Sequence, residues 1–266
     1  MKQDQIRYFV VDAFTDRPFS GNPAAVVCLN AWPNDTWLQN VAMEMNLSET
    51  AFLVPNDDGF DLRWFTPAVE VDLCGHATLA SACTIFHTGQ QDNTELKFST
   101  RSGILLATCH DSRIQLDFPL QPQLPTGTPA PLLKGLSVVP KYVGKSECDY
   151  LVEVETEDEL RSLTPDFTQL AQIDCRGIIV TSRSKTTEFD FVSRFFGPAV
   201  GVDEDPVTGS AHCCLAHYWR ERTGREQFTA FQASKRGGVV HIQIQQDRVL
   251  LSGNAVIVSQ GELLVA

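Results

Sequence analysis

The residues best suited to chemistry sit at two tight corners. The first, Asp72-Leu-Cys-Gly-His76, sets a thiol (Cys74) and an imidazole (His76) on either side of Gly75. The second, Asp203-Glu-Asp-Pro-Val-Thr-Gly-Ser210, offers the Asp205 carboxylate just ahead of Gly209 and Ser210. Both corners open into small, apolar runs, Gly-His-Ala-Thr and Thr-Gly-Ser-Ala, that read as helix starts. Free N–H groups at a helix N-terminus, with the local dipole, favour an anion such as a carboxylate or phosphate. A glycine at such a corner also serves simply to let a strand and a helix pack closely, so one copy alone says little. His212, Cys213, Cys214 and His217 do not make a zinc site, because neighbouring cysteines diverge around a helix and leave no compact ligand set. No metal is expected.

The elements that position these corners follow from hydrophobic period and turn chemistry. Ile6–Phe14 reads as a strand and Thr15–Pro23 as a turn-rich loop, followed by a buried strand at Ala24–Leu29. Asn34 and Asp35 cap a helix whose Trp37, Leu38, Val41, Ala42 and Met45 fall at helical spacing, with Asn46 ending it. Leu47 to Thr50 leads into a strand at Ala51–Val54, and Asp57-Asp58-Gly59 turns the chain into the first corner. The helix from about His76 to His87 is apolar or small nearly all round, the pattern of a helix buried on every side, and Gly89 ends it. Strands at Glu95–Ser99, Gly103–Cys109 and Arg113–Phe118 follow, the last two joined by a turn at His110-Asp111-Ser112.

Pro119 to Pro131 is the richest proline tract and reads as the connection between two halves. Beyond it lie a strand near Tyr150–Glu155, a short helix with Thr156 and Glu159 spaced as a capping box, and strands at Ile178–Thr181 and Phe189–Phe196. The second corner and its helix, running to Trp219, come next, then strands near Phe228–Ala233, Val239–Gln245 and Arg248–Leu251. The expected domains are therefore 1–119, joined by 253–266, then the connection 120–131 and a second half at 132–252.

The halves repeat one another. Arg63, Phe65, Pro67, Ala68, Val69, Val71 and Asp72 recur as Arg194, Phe196, Pro198, Ala199, Val200, Val202 and Asp203, offset 131 (194 − 63). Arg101, Gly103, Arg113 and Leu116 recur as Arg236, Gly238, Arg248 and Leu251, offset 135 (236 − 101). Their shared order makes duplication the better account, with equivalent corners meeting at a common cleft.

Composition sets the class. The chain has 266 residues, 43% hydrophobic and 20% charged, which suits a folded globular protein rather than a disordered one. A net charge of −12 argues against nucleic acid or a basic membrane-surface role, but not against a small anionic substrate held by backbone N–H groups. The longest apolar runs fall far short of a membrane span, and the N-terminus lacks a signal-peptide pattern, so a cytoplasmic location is expected. Eight scattered cysteines without a C-x-x-C pair read as reduced, mostly core residues.

GNPAAV at 21–26, NLSETAF at 46–52, DLCGHATLA at 72–80 and DEDPVTGSAHC at 203–213 together resemble the phenazine biosynthesis PhzF-like protein family, in the right order across both halves. The resemblance implies an α+β fold of two pseudo-symmetric diaminopimelate epimerase-like domains, each a mostly antiparallel sheet wrapped around a buried helix, with the active site between them. It implies Glu49 as catalytic acid/base, with His76 and Asp205 as its catalytic companions. It further implies Gly75, Gly209, Ser210 and Asn22 as substrate-binding residues. The implied reaction is a cofactor-independent isomerisation that moves a proton between carbons of a small carboxylated metabolite, and a homodimer is plausible by the same resemblance. One carboxylate can take the proton and return it elsewhere, which fits Glu49. Racemases of that fold oppose two cysteines, but the second corner offers Asp205, Pro206 and Val207 instead, so Cys74 reads as a packing residue and a Cys74 racemase as the enzymatic alternative. A non-catalytic small-molecule or partner-binding protein is the other.

Overall fold

The computed structural model describes residues 5–89, 94–110 and 113–264. Asp111 and Ser112 of the expected turn, and the first four residues of the N-terminus, lie outside that set. The chain divides into two compact units, Met1–Asp117 with Ser252–Ala266, and Phe118–Leu251.

In chain order the elements are β1 (Ile6–Ala13), β2 (Asn22–Cys28), α1 (Asp35–Met45), β3 (Glu49–Asn56), β4 (Gly59–Phe65), β5 (Glu70–Val71), α2 (Gly75–Thr88), β6 (Glu95–Thr100), β7 (Gly103–His110) and β8 (Arg113–Pro119). They continue with β9 (Leu124–Pro125), α3 (Ala130–Leu136), β10 (Tyr142–Lys145), β11 (Asp149–Glu153), α4 (Glu157–Ser162), α5 (Phe167–Leu170), β12 (Gly177–Arg183) and β13 (Phe191–Gly197). After a 3-10 turn at Pro198–Val200 come β14 (Val202–Asp205), α6 (Gly209–Thr223), β15 (Gln227–Gln232), β16 (Gly238–Gln245), β17 (Arg248–Gly253) and β18 (Ala255–Leu263). The fold is mixed α/β, and among the described residues no helix is long and apolar enough to cross a membrane.

In the first unit, β1 pairs antiparallel with both β18 and β2. β2 runs parallel to β3, and β3 antiparallel to β4. β4 pairs with β5 and runs parallel to β6, which continues antiparallel into β7 and β8. α2 packs on β1, β2, β3 and β18, while Leu38, Val41 and Ala42 of α1 close a core with Val27, Phe52, Val54 and Phe65. β2 and β3 are thus covered on both faces, which is why they read as unbroken apolar runs rather than alternating ones. Gly21, at φ +65, is required where it stands, because a Cβ there would lie 2.1 Å from the carbonyl oxygen of Ala13.

In the second unit, β10 pairs with β9 and β11, and β11 runs parallel to β12. β12 is antiparallel to β13, which pairs with β14 and runs parallel to β15, itself antiparallel to β16. Leu132 and Leu136 of α3, Leu160 of α4 and Leu170 of α5 form a core with Val152, Ile178, Val180, Val192 and Phe196.

Several helix ends follow their sequence signals. Asn34 caps α1 by accepting a bond from Trp37 N, and Asn46 ends it in the left-handed region. Thr156 accepts from Glu159 N, while the Glu159 carboxylate reaches Glu155 N. The expected proline connection differs: Pro119–Pro131 is built into the second unit, with β9 on β10 and the buried Gln123 bonded to the Tyr142 hydroxyl. Proline lacks an N–H but leaves its carbonyl and neighbours free to pair at a sheet edge, so this proline-rich stretch can carry a strand of its own.

Of the four residues His212, Cys213, Cys214 and His217, the first three are core and His217 is half-buried. His212, Cys213 and Cys214 are buried on α6, and burial pushes both thiols up to about 12. His212 Nδ1 donates to Thr208 O at 2.8 Å, and burial lowers its imidazole pKa to about 4. The unfolded chain takes up a proton near the ordinary 6.5 while the folded one resists until about 4. Stability is therefore complete above about 6.5 and falls as the pH drops toward 4, by about 3 kcal/mol over that window. Urea unfolding of wild type and His212→Gln is expected to show that much extra acid loss in wild type, and parallel pH profiles would refute it.

Candidate active site

The first constellation arises from parallel pairing. Ala24 of β2 lies opposite Glu49 of β3, so directly opposed side chains share a face. Alternation along each strand then places Asn22 with Ala24, and Glu49 with Ala51, on the face that α2 covers. α2 starts after Cys74, which is extended at φ −145, so His76 in its first turn descends onto the beginnings of both strands.

The side chains meet there. His76 Nε2 lies 3.1 Å from Glu49 Oε2, and both atoms are buried with no other hydrogen-bond partner among the described residues. The opposite ring nitrogen, Nδ1, is 3.2 Å from Asn22 Nδ2 and 3.6 Å from Cys74 Sγ. Asn22 is 0% and His76 5% exposed, whereas 19% of the Glu49 side chain remains accessible. One atom each from Glu49, Cys74 and His76 lies within 4.8 Å of the others. Glu49 is thus held by a buried imidazole yet open on one side, the disposition of a carboxylate that exchanges a proton with a ligand.

Electrostatics favour a proton on the ring. Burial opposes the imidazolium, but the Cys74 sulfur and the Glu49 carboxylate favour it, and the balance lies well above the ordinary histidine pKa. Burial, reinforced by the Glu49 charge, raises the Cys74 thiol above its ordinary value, against the opposing pull of the neighbouring ring.

The second constellation belongs to the other unit. Thr208, the N-cap of α6, gives its hydroxyl to Asp205 Oδ2 at 2.5 Å rather than to the first turn of the helix. The fully buried Gln232 fixes this corner. Its Oε1 accepts from Thr208 N at 2.9 Å, and its Nε2 donates to Asp205 O at 2.7 Å and Thr208 Oγ1 at 3.3 Å. A backbone donor on one side and a backbone acceptor on the other define the amide orientation. Gly209 and Ser210 are the first two residues of α6.

Each corner also carries an arginine clamp. Arg63 Nε and Nη2 both lie 2.7 Å from the Glu70 carboxylate, and Arg194 Nε and Nη2 lie 2.7 and 3.0 Å from Glu204. These bidentate pairs tie the long strand leading toward each corner to the short strand next to it, β4 to β5 and β13 to β14.

The expected residues thus fall into two groups. Glu49, His76 and Asn22 meet in the first unit, beside Gly75, while Asp205, Gly209 and Ser210 share the corner of the second. Two features were not read from the sequence. Cys74 touches His76 rather than serving only as packing, and Gln232 with Thr208 holds the Asp205 corner. Gln232 lies 27 residues from Asp205 in an otherwise ordinary strand, so only the fold reveals it.

Residues 11–261 match the family model PhzC-PhzF, described as phenazine biosynthesis-like protein. An uncharacterized isomerase of Halalkalibacterium halodurans is 55% identical over 259 residues, covering 97% of this chain and 98% of the relative. The human phenazine biosynthesis-like domain-containing protein is 42% identical over 281 residues, covering 96% and 98%. A crystal structure of a PhzF-family phenazine biosynthesis protein from Enterococcus faecalis superposes with a TM-score of 0.95 at 37% identity, covering 98% of this chain and 100% of that one.

Proposed function

The chain belongs to the phenazine biosynthesis-like (PhzC-PhzF) family, and from that premise we propose an isomerase that moves a proton between carbons of a small carboxylated metabolite, with Glu49 as the proton carrier. Isomerase-type activity accords with the relative in H. halodurans. The observation that carries the mechanism is the Glu49–His76 contact at 3.1 Å, with Glu49 partly accessible. Glu49 removes a proton from a carbon next to the substrate's electron-withdrawing carboxylated system and returns it to another. His76, holding a proton on Nε2, steadies the Glu49 carboxylate before it takes the proton and orients the neutral carboxyl group until the proton is returned. In the same reading Asp205 engages a polar group of the substrate, and the starts of α2 (Gly75) and α6 (Gly209, Ser210) offer N–H groups to its carboxylate. None of these roles calls for a cofactor.

The reading includes an internal duplication. Its support is register: Thr50 opposes Phe65 as Ile178 opposes Phe196, and Ala24 runs beside Glu49 as Asp149 beside Gly177. By that equivalence Gly177 stands where Glu49 does, and a Cβ there would come within 2.1 Å of the Phe195 ring. The second copy carries no matching carboxylate, and a side chain there would have to displace the Phe195 ring, which favours one proton carrier.

Carboxylated metabolites incubated with the enzyme in D2O provide the test. Rearranged product carrying deuterium at the receiving carbon is expected, and tight binding without exchange would favour a binding protein. A Cys74 racemase is the second reading, favoured by the 3.6 Å approach of its sulfur to His76. Cys74→Ala is expected to lower turnover less than about tenfold, whereas loss of a proton-transferring thiol costs on the order of 10²-fold or more.

A further inference from the structure

Asn22 is fully buried, yet its side chain meets a titratable ring, at Nδ1 of His76. The other face of that ring is fixed, since Nε2 faces the Glu49 carboxylate and so carries a hydrogen whether the imidazole is neutral or charged. The change of protonation therefore falls on Nδ1. A neutral ring presents a lone pair there and needs a donor, while a charged ring presents N–H and needs an acceptor. A buried group that loses its partner on changing state pays a desolvation penalty, so most side chains would favour one state only. A carboxamide has a donor end and an acceptor end of nearly the same size, exchanged by turning its last torsion.

We propose that Asn22 is a positioning residue whose amide partners Nδ1 of His76 in both protonation states, keeping Nε2–H aimed at Glu49 throughout. This assigns Asn22 to the imidazole rather than to the substrate, and it rests on the reading of Glu49 and His76 as the proton-handling pair. Asn22 suits the task by location, since it opens β2 immediately beside the opening of β3 and beneath the first turn of α2. The titratable groups acting on the ring are Cys74, from the α2 cap, and Glu49, from β3. β2 adds only the neutral amide. The Cys74 sulfur, at 3.6 Å, is a weak partner for Nδ1 and does not replace it.

The test needs no substrate, so its outcome is separate from that of the proposed isomerisation. Protein labelled with ¹⁵N-histidine is titrated by NMR, with the His76 signals identified by their loss in His76→Gln. Asn22→Asp keeps the shape but offers only acceptors, and is expected to raise the proton affinity of the ring roughly tenfold or more. Asn22→Leu offers neither group and is expected to lower it roughly tenfold. In wild type Nε2 should keep the shift of a protonated nitrogen on both sides of the titration. Shifts of less than about twofold in both variants, or in the same direction, would overturn the proposal. If Asn22→Asp fails to fold, Asn22→Ala, which leaves neither donor nor acceptor, serves with Asn22→Leu, and an unmoved titration in these two refutes the idea equally.

Discussion

Glu49→Gln is expected to reduce solvent-deuterium exchange into a turned-over substrate by on the order of 10³-fold. Glutamine is nearly isosteric, and its Oε1 can still accept from His76 Nε2 across the 3.1 Å gap. The variant should therefore fold normally and retain ligand affinity while losing the step that needs a basic oxygen. The loss should appear in kcat, with little change in KM, because the carboxylate is needed mainly in the transition state. Removing its negative charge also removes one of the groups that raise the His76 pKa, so the ring should titrate lower in the same variant. Exchange persisting at the wild-type rate would sink the role of Glu49, and persistence only until Cys74 is also replaced would point to the thiol.

The largest expected effect on stability comes from Arg176→Leu. Asp149, at the start of β11, is 0% exposed, and Arg176 meets it with both ends of a bidentate fork, Nε to Oδ1 at 2.9 Å and Nη2 to Oδ2. Losing the guanidinium leaves a carboxylate in the interior without its counter-charge, which costs about 3 to 5 kcal/mol where a buried pair is broken from one side. Arg176 is itself partly exposed, so the lower end is the better expectation. Replacing both partners, as Asp149→Leu with Arg176→Leu, should recover much of the loss, since no buried charge then remains. Urea unfolding reads both changes, and a single-variant loss below about 1 kcal/mol would show that the pair adds little. In the proposed duplication, Asp149 and Gly177 occupy the places of Ala24 and Glu49. Under that proposal the same junction of parallel strands would hold an ion pair in one unit and the proposed proton carrier in the other.

Much of the architecture was legible because its causes are local. The two glycine corners, the Asn34 and Thr156 caps and the strands flanking each corner all carry period or capping signals within a few residues. β9, β10, α3 and α5 went unread, being only 2, 4, 7 and 4 residues long, too short for a period to declare itself. β18 went unread for another reason: its pairing with β1 joins opposite ends of the chain, and its exposed, polar stretch at Ser259 and Gln260 masks its alternation.

The opening chemistry divides along the same line. Residue types and spacing determined the two corners, the small-residue helix starts and, through four motifs, the family and its candidate acid/base Glu49. Tertiary structure alone decided what those side chains touch. It set Glu49 and Asn22 on opposite nitrogens of one buried imidazole, brought Cys74 against the same ring, and turned Thr208 and Gln232 toward Asp205. Such contacts depend on strand register and on where a helix lands over a sheet, and neither leaves a mark in the residues that meet. A sequence specifies which groups are available, whereas the protonation states that make them useful come from burial and from neighbours supplied by distant segments.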